Sequence, residues 1–363
     1  MTKIIIVANS YWNLYNFRFS LIKHLSNKYN ITLIAPKDKY FKNFKDLNCQ
    51  LRFINLESNK FNIFSDLFFI LSIYVILFKI KPDYILNFTI KPVVFISFFS
   101  YFKKCKILNT ITGFGTLYLK NKIYRKLFNF LYFISQRNIY KLIFQNVDDK
   151  NYFVKNKLIK INKTSIIPGS GVDINYFRSY SYPEKDFVNF LFLGRLIKEK
   201  GIIELIEAYE KAFLYNQNIK LTLVVKKSKK NPSNIISFIE NINMKSNIEI
   251  IYDPNDVKKY IESSHCLILP SYREGLSKSC LEAMSMERPI LVSNVPGCKQ
   301  LVENNQNGFI FESITKNSIC KVLKKFINLD NKTRIEMGKY SRKIIKEKYS
   351  NEIINKKYSS LFN

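Results

Sequence analysis

The chain has 363 residues, 47% of them hydrophobic, and 58 Lys or Arg against 28 Asp or Glu give a net charge of +30. That length is too great for one ordinary core and fits two α/β domains, and the apolar content excludes a disordered chain. The six cysteines, at 49, 105, 266, 280, 298 and 320, lack metal-ligand spacing, and His24 and His265 are the only histidines. Those facts give little support to a zinc site or a serine triad and read as reduced thiols and packed imidazoles.

The amino-terminal half alternates apolar runs with helical periodicity. Strands are expected at Lys3 to Ala8, Asn30 to Ala35, Asp83 to Phe88, Lys106 to Thr110 and Lys141 to Gln145, with a helix at Asn16 to Lys28. Such alternation predicts a parallel, Rossmann-like sheet with crossover helices. The first loop, Asn9 to Tyr15, contains no G-x-G-x-x-G, which disfavours a dinucleotide cofactor. Met1 to Ala8 is too short an apolar region for a cleavable signal peptide. After a turn at Pro168 to Asp173 the pattern repeats, with strands at Phe190 to Leu193, Lys220 to Val225, Ile248 to Ile251, Cys266 to Leu269 and Pro289 to Val292. A last helix is expected near Lys346 to Leu361.

Charge is unevenly placed. Residues 1–170 carry 27 Lys or Arg against 7 Asp or Glu, and residues 171–363 carry 31 against 21. Interleaved with the amino-terminal charge are apolar-aromatic stretches at Leu67 to Phe78, Val93 to Phe102 and Tyr124 to Phe133. Each falls short of the roughly 18 to 20 residues that cross a bilayer, so no transmembrane helix is expected. Basic and aromatic residues together suit a domain lying on an anionic membrane surface. The plain alternative is that these are core helices in a chain rich in Lys throughout.

Two clusters carry chemistry. In the first, Phe190-Leu191-Phe192-Leu193 runs into Gly194-Arg195-Leu196-Ile197-Lys198-Glu199-Lys200-Gly201 before a helical pattern. Gly194 frees the backbone, and Arg195 and Lys200 offer a bidentate fork and a point charge, a pairing suited to a diphosphate. The second is Glu274-Gly275-Leu276-Ser277-Lys278-Ser279-Cys280-Leu281-Glu282, entered from the strand Cys266 to Leu269. Its carboxylates fall one in a loop and one a turn into a helix, where free backbone N–H groups can meet phosphate. Either cluster alone is compatible with solvated charges; their combination argues against that reading.

These motifs resemble the GT-B glycosyltransferases of family 4, whose hallmark E-x7-E matches Glu274 and Glu282. Ile167 to Asp173, Val295-Pro296-Gly297-Cys298 and Gly308 are also similar to the family pattern. The resemblance is nearest to the branch that adds N-acetylhexosamines such as GalNAc to undecaprenyl-diphosphate-linked saccharides, through Leu14-Tyr15-Asn16-Phe17-Arg18, Asn109 to Gly115 and Phe144-Gln145-Asn146. It implies an α/β fold of GT-B architecture, two Rossmann-like parallel-sheet domains facing across a cleft. The domains are expected at 1–175 for the acceptor and membrane-facing half and at 176–345 for the donor half, with 346–363 crossing back to the first.

The resemblance further implies a retaining transferase that moves a sugar from a UDP-sugar to a lipid-linked saccharide in surface polysaccharide or glycan assembly. Glu274, Arg195 and Lys200 would be catalytic, Glu274 also holding hydroxyls of the transferred sugar. Glu282 would take the ribose hydroxyls, and Gly194 and the N–H groups of Gly275, Leu276 and Ser277 would complete the donor site. Tyr15, Asn16, Arg18, Thr112, Gly113 and Gly115 would shape the acceptor side. No metal or other cofactor is expected, because cationic side chains take over leaving-group stabilisation. The expected partners are a nucleotide sugar, a polyprenyl-diphosphate-linked saccharide and an anionic membrane surface, without nucleic acid. The expected place is the cytoplasm, peripheral on the inner face of the cytoplasmic membrane.

The chain departs from the family in three places. The first-domain histidine is absent from Thr110-Ile111-Thr112-Gly113; Lys226 to Lys230 replaces a glycine-bearing loop; and the Gly expected before Asp253 to Asp256 is missing. Two rivals stand beside the transferase. A GT-B-like sugar-nucleotide epimerase, or phosphorylase-like chemistry, would want a cleft histidine. A nucleic-acid-binding protein would explain the charge but has no recognisable module here.

Overall fold

A computed structural model describes residues 1–57, 62–102, 105–114, 122–227, 233–240 and 247–362. The chain forms two compact units, one of Met1–Ser170 with Asn351–Asn363 and one of Gly171–Ser350.

The first unit is built on a seven-stranded parallel sheet. Its strands are β1 (Lys3–Val7), β2 (Asn30–Ala35), β3 (Cys49–Phe53), β4 (Tyr84–Phe88), β5 (Lys106–Ile111), β6 (Lys141–Phe144) and β7 (Thr164–Ile166), in the order β3-β2-β1-β4-β5-β6-β7. Side chains alternate across it: Ile5, Val7 and Ile85 join one core, while Ile4, Ile6 and Leu86 join the other. Both faces are covered by helices, which is why the central strands read as unbroken apolar runs. Helix α1 (Tyr11–Ser26) and the carboxyl-terminal helix Asn351–Ser359 close one core through Leu14, Ile22, Ile354 and Tyr358. Helices α2 (Ile63–Ile80), α3 (Ile90–Phe95), α4 (Lys122–Ser135) and α5 (Val147–Lys155) close the other.

Several elements differ from expectation for identifiable reasons. Helix α1 starts at Tyr11 rather than Asn16, because Ser10 accepts from the Asn13 N–H at 3.1 Å and caps it. Strands β3 and β7 are edge strands with half-exposed, polar patterns, so they carry no apolar signal. Helix α2 has 18 residues and is long and apolar enough to cross a membrane, correcting the expectation that every apolar run is shorter than that. The carboxyl-terminal helix begins at Asn351, and the preceding Ile345–Tyr349 is a π turn belonging to the second unit.

The second unit holds a six-stranded parallel sheet in the order β10-β9-β8-β11-β12-β13. These are β8 (Val188–Arg195), β9 (Ile219–Lys226), β10 (Ile248–Tyr252), β11 (Cys266–Leu269), β12 (Ile290–Ser293) and β13 (Gly308–Phe311). Helices α6 (Ile202–Phe213), α7 (Ser233–Glu240), α8 (Lys258–Glu262), α9 (Lys278–Ser285), α10 (Lys316–Ile327) and α11 (Asn331–Ile344) complete it. Strand order reverses between β8 and β11, and in such sheets that switch point is where ligands bind at the carboxyl ends. Buried Arg288 is spent on structure. Its guanidinium donates to the carbonyls of Ser181 and Glu262 at 2.9 Å each and to that of Ile261 at 3.1 Å. His265 is likewise structural: its Nδ1 accepts from the Asn189 N–H at 2.9 Å, and burial lowers its pKa to about 4.

One charge pair lies inside the first unit. Lys91, just after β4, is buried and bonded to Asp66 in the first turn of α2. Removing one partner strands the other charge out of water. Lys91→Met is therefore expected to destabilise the protein by about 3–5 kcal/mol, and adding Asp66→Leu to recover most of it, read by urea denaturation.

Candidate active site

The site grows from the two loops that flank the switch point. Strand β8 ends on Gly194 and exposed Arg195, and a 3₁₀ turn at Lys198–Lys200 leads to Gly201. Gly201 has φ +65°, and a Cβ there would lie 2.2 Å from the Pro270 carbonyl oxygen. Only glycine permits that approach, so the loop after β8 sits directly on the loop after β11. The Tyr272 N–H donates to the Glu199 carbonyl at 2.9 Å, and the Tyr272 hydroxyl to Glu204 Oε1 at 2.6 Å, stitching the two together.

Between these loops Lys200 meets Glu274. Their side chains pair, each mostly buried, and the Ser271 hydroxyl donates to the same carboxylate oxygen at 2.7 Å. Glu274 is thus held by a cation and a hydroxyl before any ligand arrives. The Glu274 N–H donates to the Pro296 carbonyl and the Ser277 N–H to that of Gly297, both at 3.2 Å. Gly297, at φ +77°, brings its backbone so close that a Cβ would lie 2.5 Å from the Glu274 carbonyl oxygen. The Pro296-Gly297 turn fixes the Glu274 loop from behind.

Glu282 lies inside α9, where it is buried beside Lys278, whose Nζ is 3.6 Å from its carboxylate. Burial raises its pKa, opposed by Lys278. Ser277 caps α9, its hydroxyl accepting from the Cys280 N–H at 3.3 Å. The Ser277 N–H, expected to meet phosphate, donates in this structure to the Gly297 carbonyl. The Leu276 N–H has no acceptor among the described residues. Cys280 and Cys298 are fully buried, and burial pushes the Cys280 thiol up to about 12.

In the first unit the switch point falls between β1 and β4. Tyr15, Asn16 and Arg18 share α1 but diverge. Tyr15 packs against Phe19 and Tyr40 with ring centroids 5.4 and 5.6 Å away, and the Asn16 amide donates to the Trp12 carbonyl at 2.8 Å. Arg18 is buried, its guanidinium 4.1 Å from the Phe88 ring centroid, and its Nε has no partner among the described residues. Thr112 is exposed, Gly113 has φ 115°, and Gly115 lies outside the described residues. Residues that the sequence reading passed over also sit at this rim. Thr89 holds φ 69° with a buried hydroxyl that has no partner among the described residues, and Lys91 pairs with Asp66. A lone acid inside the apolar run of α2 was the available signal. Among the described residues no group of three or more His, Cys, Asp or Glu could hold a metal ion.

The fold aligns with solved GT-B enzymes along the whole chain. Anabaena HepE in complex with UDP and glucose matches at TM-score 0.81 and 15% identity, covering 100% of this chain and 99% of that one. A glycosyltransferase from Rickettsia africae matches at TM-score 0.80 and 17% identity, covering 99% and 97%. Family models described as "Glycosyl transferases group 1" and "Glycosyl transferase 4-like" match residues 175–344 and 3–146. The chain is 25% identical to the N,N'-diacetylbacillosaminyl-diphospho-undecaprenol alpha-1,3-N-acetylgalactosaminyltransferase of Campylobacter jejuni, over 90% of this chain and 89% of that one. It is also 25% identical to the capsular polysaccharide biosynthesis glycosyltransferase CapM of Staphylococcus aureus, over 70% and 67%. The chain belongs to the family 4 glycosyltransferases of GT-B fold.

Two outcomes follow for the second unit. Gly297→Ala is expected to cost about 1–3 kcal/mol in thermal denaturation through its left-handed φ and backbone clash, and Gly194→Ala less, since its Cβ would meet only the Phe192 ring at 3.3 Å. Glu282 has a folded pKa above its unfolded one, so its contribution to stability is full below the unfolded value and is lost as pH rises through the folded value. Melting curves of Glu282→Gln should therefore gain on wild type from pH 4 to pH 8; a constant difference would contradict the shift.

Proposed function

We propose that the protein is a retaining glycosyltransferase that moves an N-acetylhexosamine such as GalNAc from a UDP-sugar to a polyprenyl-diphosphate-linked saccharide. The observation that carries this reading is the Lys200–Glu274 pair, braced by Ser271 and flanked by Arg195 at the sheet's switch point. A carboxylate for sugar hydroxyls and a cation for a diphosphate, already adjacent, fit the two halves of a nucleotide sugar. The curated relatives support the acceptor class: that of C. jejuni is named for a diphospho-undecaprenol saccharide, and an Escherichia coli relative for GlcNAc-diphosphoundecaprenol. UDP in the HepE complex supports the nucleotide.

In this reading the bond between the anomeric carbon and the UDP oxygen breaks while a bond to the acceptor hydroxyl oxygen forms on the same face. The hydroxyl proton passes to the departing phosphate oxygen, so no protein nucleophile is needed. Lys200 and Arg195 neutralise the charge that grows on the leaving diphosphate, and each such group is worth about 10²–10³ in kcat. Glu274 holds hydroxyls of the transferred sugar, and Glu282 those of the ribose. Acceptor elongation of this kind belongs to surface polysaccharide or glycan assembly at the inner face of the cytoplasmic membrane. No metal enters these steps, because the two cations take its place at the diphosphate.

The test is a release assay with a panel of UDP- and GDP-sugars and a polyprenyl-diphosphate saccharide. Acceptor-dependent UDP release that survives EDTA, with product anomeric configuration matching the donor by NMR, is the expected result. Loss of release in EDTA, or inverted product, would refute the mechanism. Arg195→Ala is expected to lower kcat by about 10²-fold with the donor KM changed much less. A folded Arg195→Ala protein with full turnover would remove its assigned role.

A further inference from the structure

The largest feature that the transfer chemistry leaves unused is an apolar surface on the first unit. Helix α2 exposes Phe64 (85%), Leu67, Phe68 (60%), Leu71, Val75 (68%) and Phe78 to solvent. At about 100° per residue these six fall within roughly 100° of arc, opposite the buried Asp66, Phe69, Ile73 and Leu77. Helix α4 covers the same face of the sheet, burying Phe128 and Tyr132 and exposing Ile123 (74%), Leu127, Phe130 and Phe133 beside Lys126. Between them the 3₁₀ turn Ile96–Tyr101 exposes Tyr101, followed by exposed Phe102. The three elements are joined: Tyr74 packs on Phe99 and Phe102 with centroids 5.3 and 6.1 Å away, and the Tyr101 hydroxyl donates to the Ile134 carbonyl at 3.3 Å. A contiguous exposed patch of this kind marks an interaction surface.

We propose that the outer face of α2, the 3₁₀ turn and α4 docks on an anionic bilayer, with α2 lying in the plane of the interface rather than crossing it. Charge selects this occupant. Residues 1–170 hold 27 basic residues against 7 acidic ones, and of the four acids or bases in α2 and the exposed part of α4 named here, Asp66 is turned inward while Lys79, Arg125 and Lys126 remain. Phe and Tyr at the surface suit the headgroup boundary, and Lys and Arg suit anionic headgroups. The structure also decides between lying and spanning. Helix α2 connects β3 to β4 of one sheet, and Phe69, Ile73 and Leu77 are fully buried in that sheet's core. Crossing a bilayer would pull them out and strand the buried Asp66–Lys91 pair in hydrocarbon. Because Lys91 follows β4 at the switch point, the same pair ties the docked helix to the rim where the acceptor reading places the lipid-linked substrate. The docking surface deepens that reading but rests on exposure and charge alone.

The test is flotation of the full chain with vesicles of phosphatidylcholine containing phosphatidylglycerol, compared with phosphatidylcholine alone. Wild type is expected to bind the anionic vesicles at least tenfold more tightly, and Phe68→Asp with Leu71→Asp, or Phe130→Asp alone, to lose that binding with unchanged circular dichroism and thermal melting. All of these positions are exposed, so the variants have no core to disrupt. UDP binding by the variants should equal wild type, which separates failure of docking from failure of the transferase reading. Leu71→Trp should be quenched by lipid brominated near the headgroup and not by lipid brominated at the chain end, with wild type, carrying Trp12 alone, as control. No vesicle binding by wild type, unchanged binding by the aspartate variants, or quenching at the bilayer centre would each overturn the proposal.

Discussion

The second unit depends on one contact, the ion pair of Lys200 with Glu274. Each side chain comes from a different βα loop, and those loops belong to the two strands between which sheet order reverses. Left in water, such a pair would contribute little; here both groups are largely withdrawn from solvent, and the Ser271 hydroxyl holds the carboxylate in place. Gly201 against Pro270 and Gly297 against Glu274 are close approaches that no other residue permits. The sheet supplies the position, the glycines supply the distance, and the charges supply the electrostatics of the proposed sugar-diphosphate site.

The same contacts hold the groups of the site in place without a ligand. Ser271, the Glu274 N–H and the Ser277 N–H are all engaged within the protein. Preorganised groups of this sort do not have to be gathered during the reaction, which is where electrostatic catalysis gains its magnitude.

Much of this was legible in the sequence. The central strands are buried on both faces and announce themselves as apolar runs, and Glu274, Glu282, Arg195 and Lys200 stand out as charges at the ends of such runs. The edge strands β3 and β7 were not legible, because they bury little and carry no apolar pattern, whereas β13 is a short buried Gly-Phe-Ile-Phe run that was passed over. The start of α1 was hidden in a single capping serine. Tyr15, Asn16 and Arg18 are adjacent in the sequence, yet helical geometry sends Tyr15 to Tyr40 and Arg18 under Phe88. Gly297 was visible only as a member of a motif, since the Glu274 backbone it approaches belongs to another loop, and Ser271 is a brace only because its own loop folds the hydroxyl back onto Glu274.

The central claim is that Lys200 and Glu274 act as one unit. A double-mutant cycle on kcat/KM for sugar transfer, with Lys200→Met, Glu274→Gln and the pair, tests it most directly. Strong non-additivity is expected, the double variant being little worse than the poorer single, with a coupling of at least about 1 kcal/mol. Additive losses would show two independent groups and contradict it.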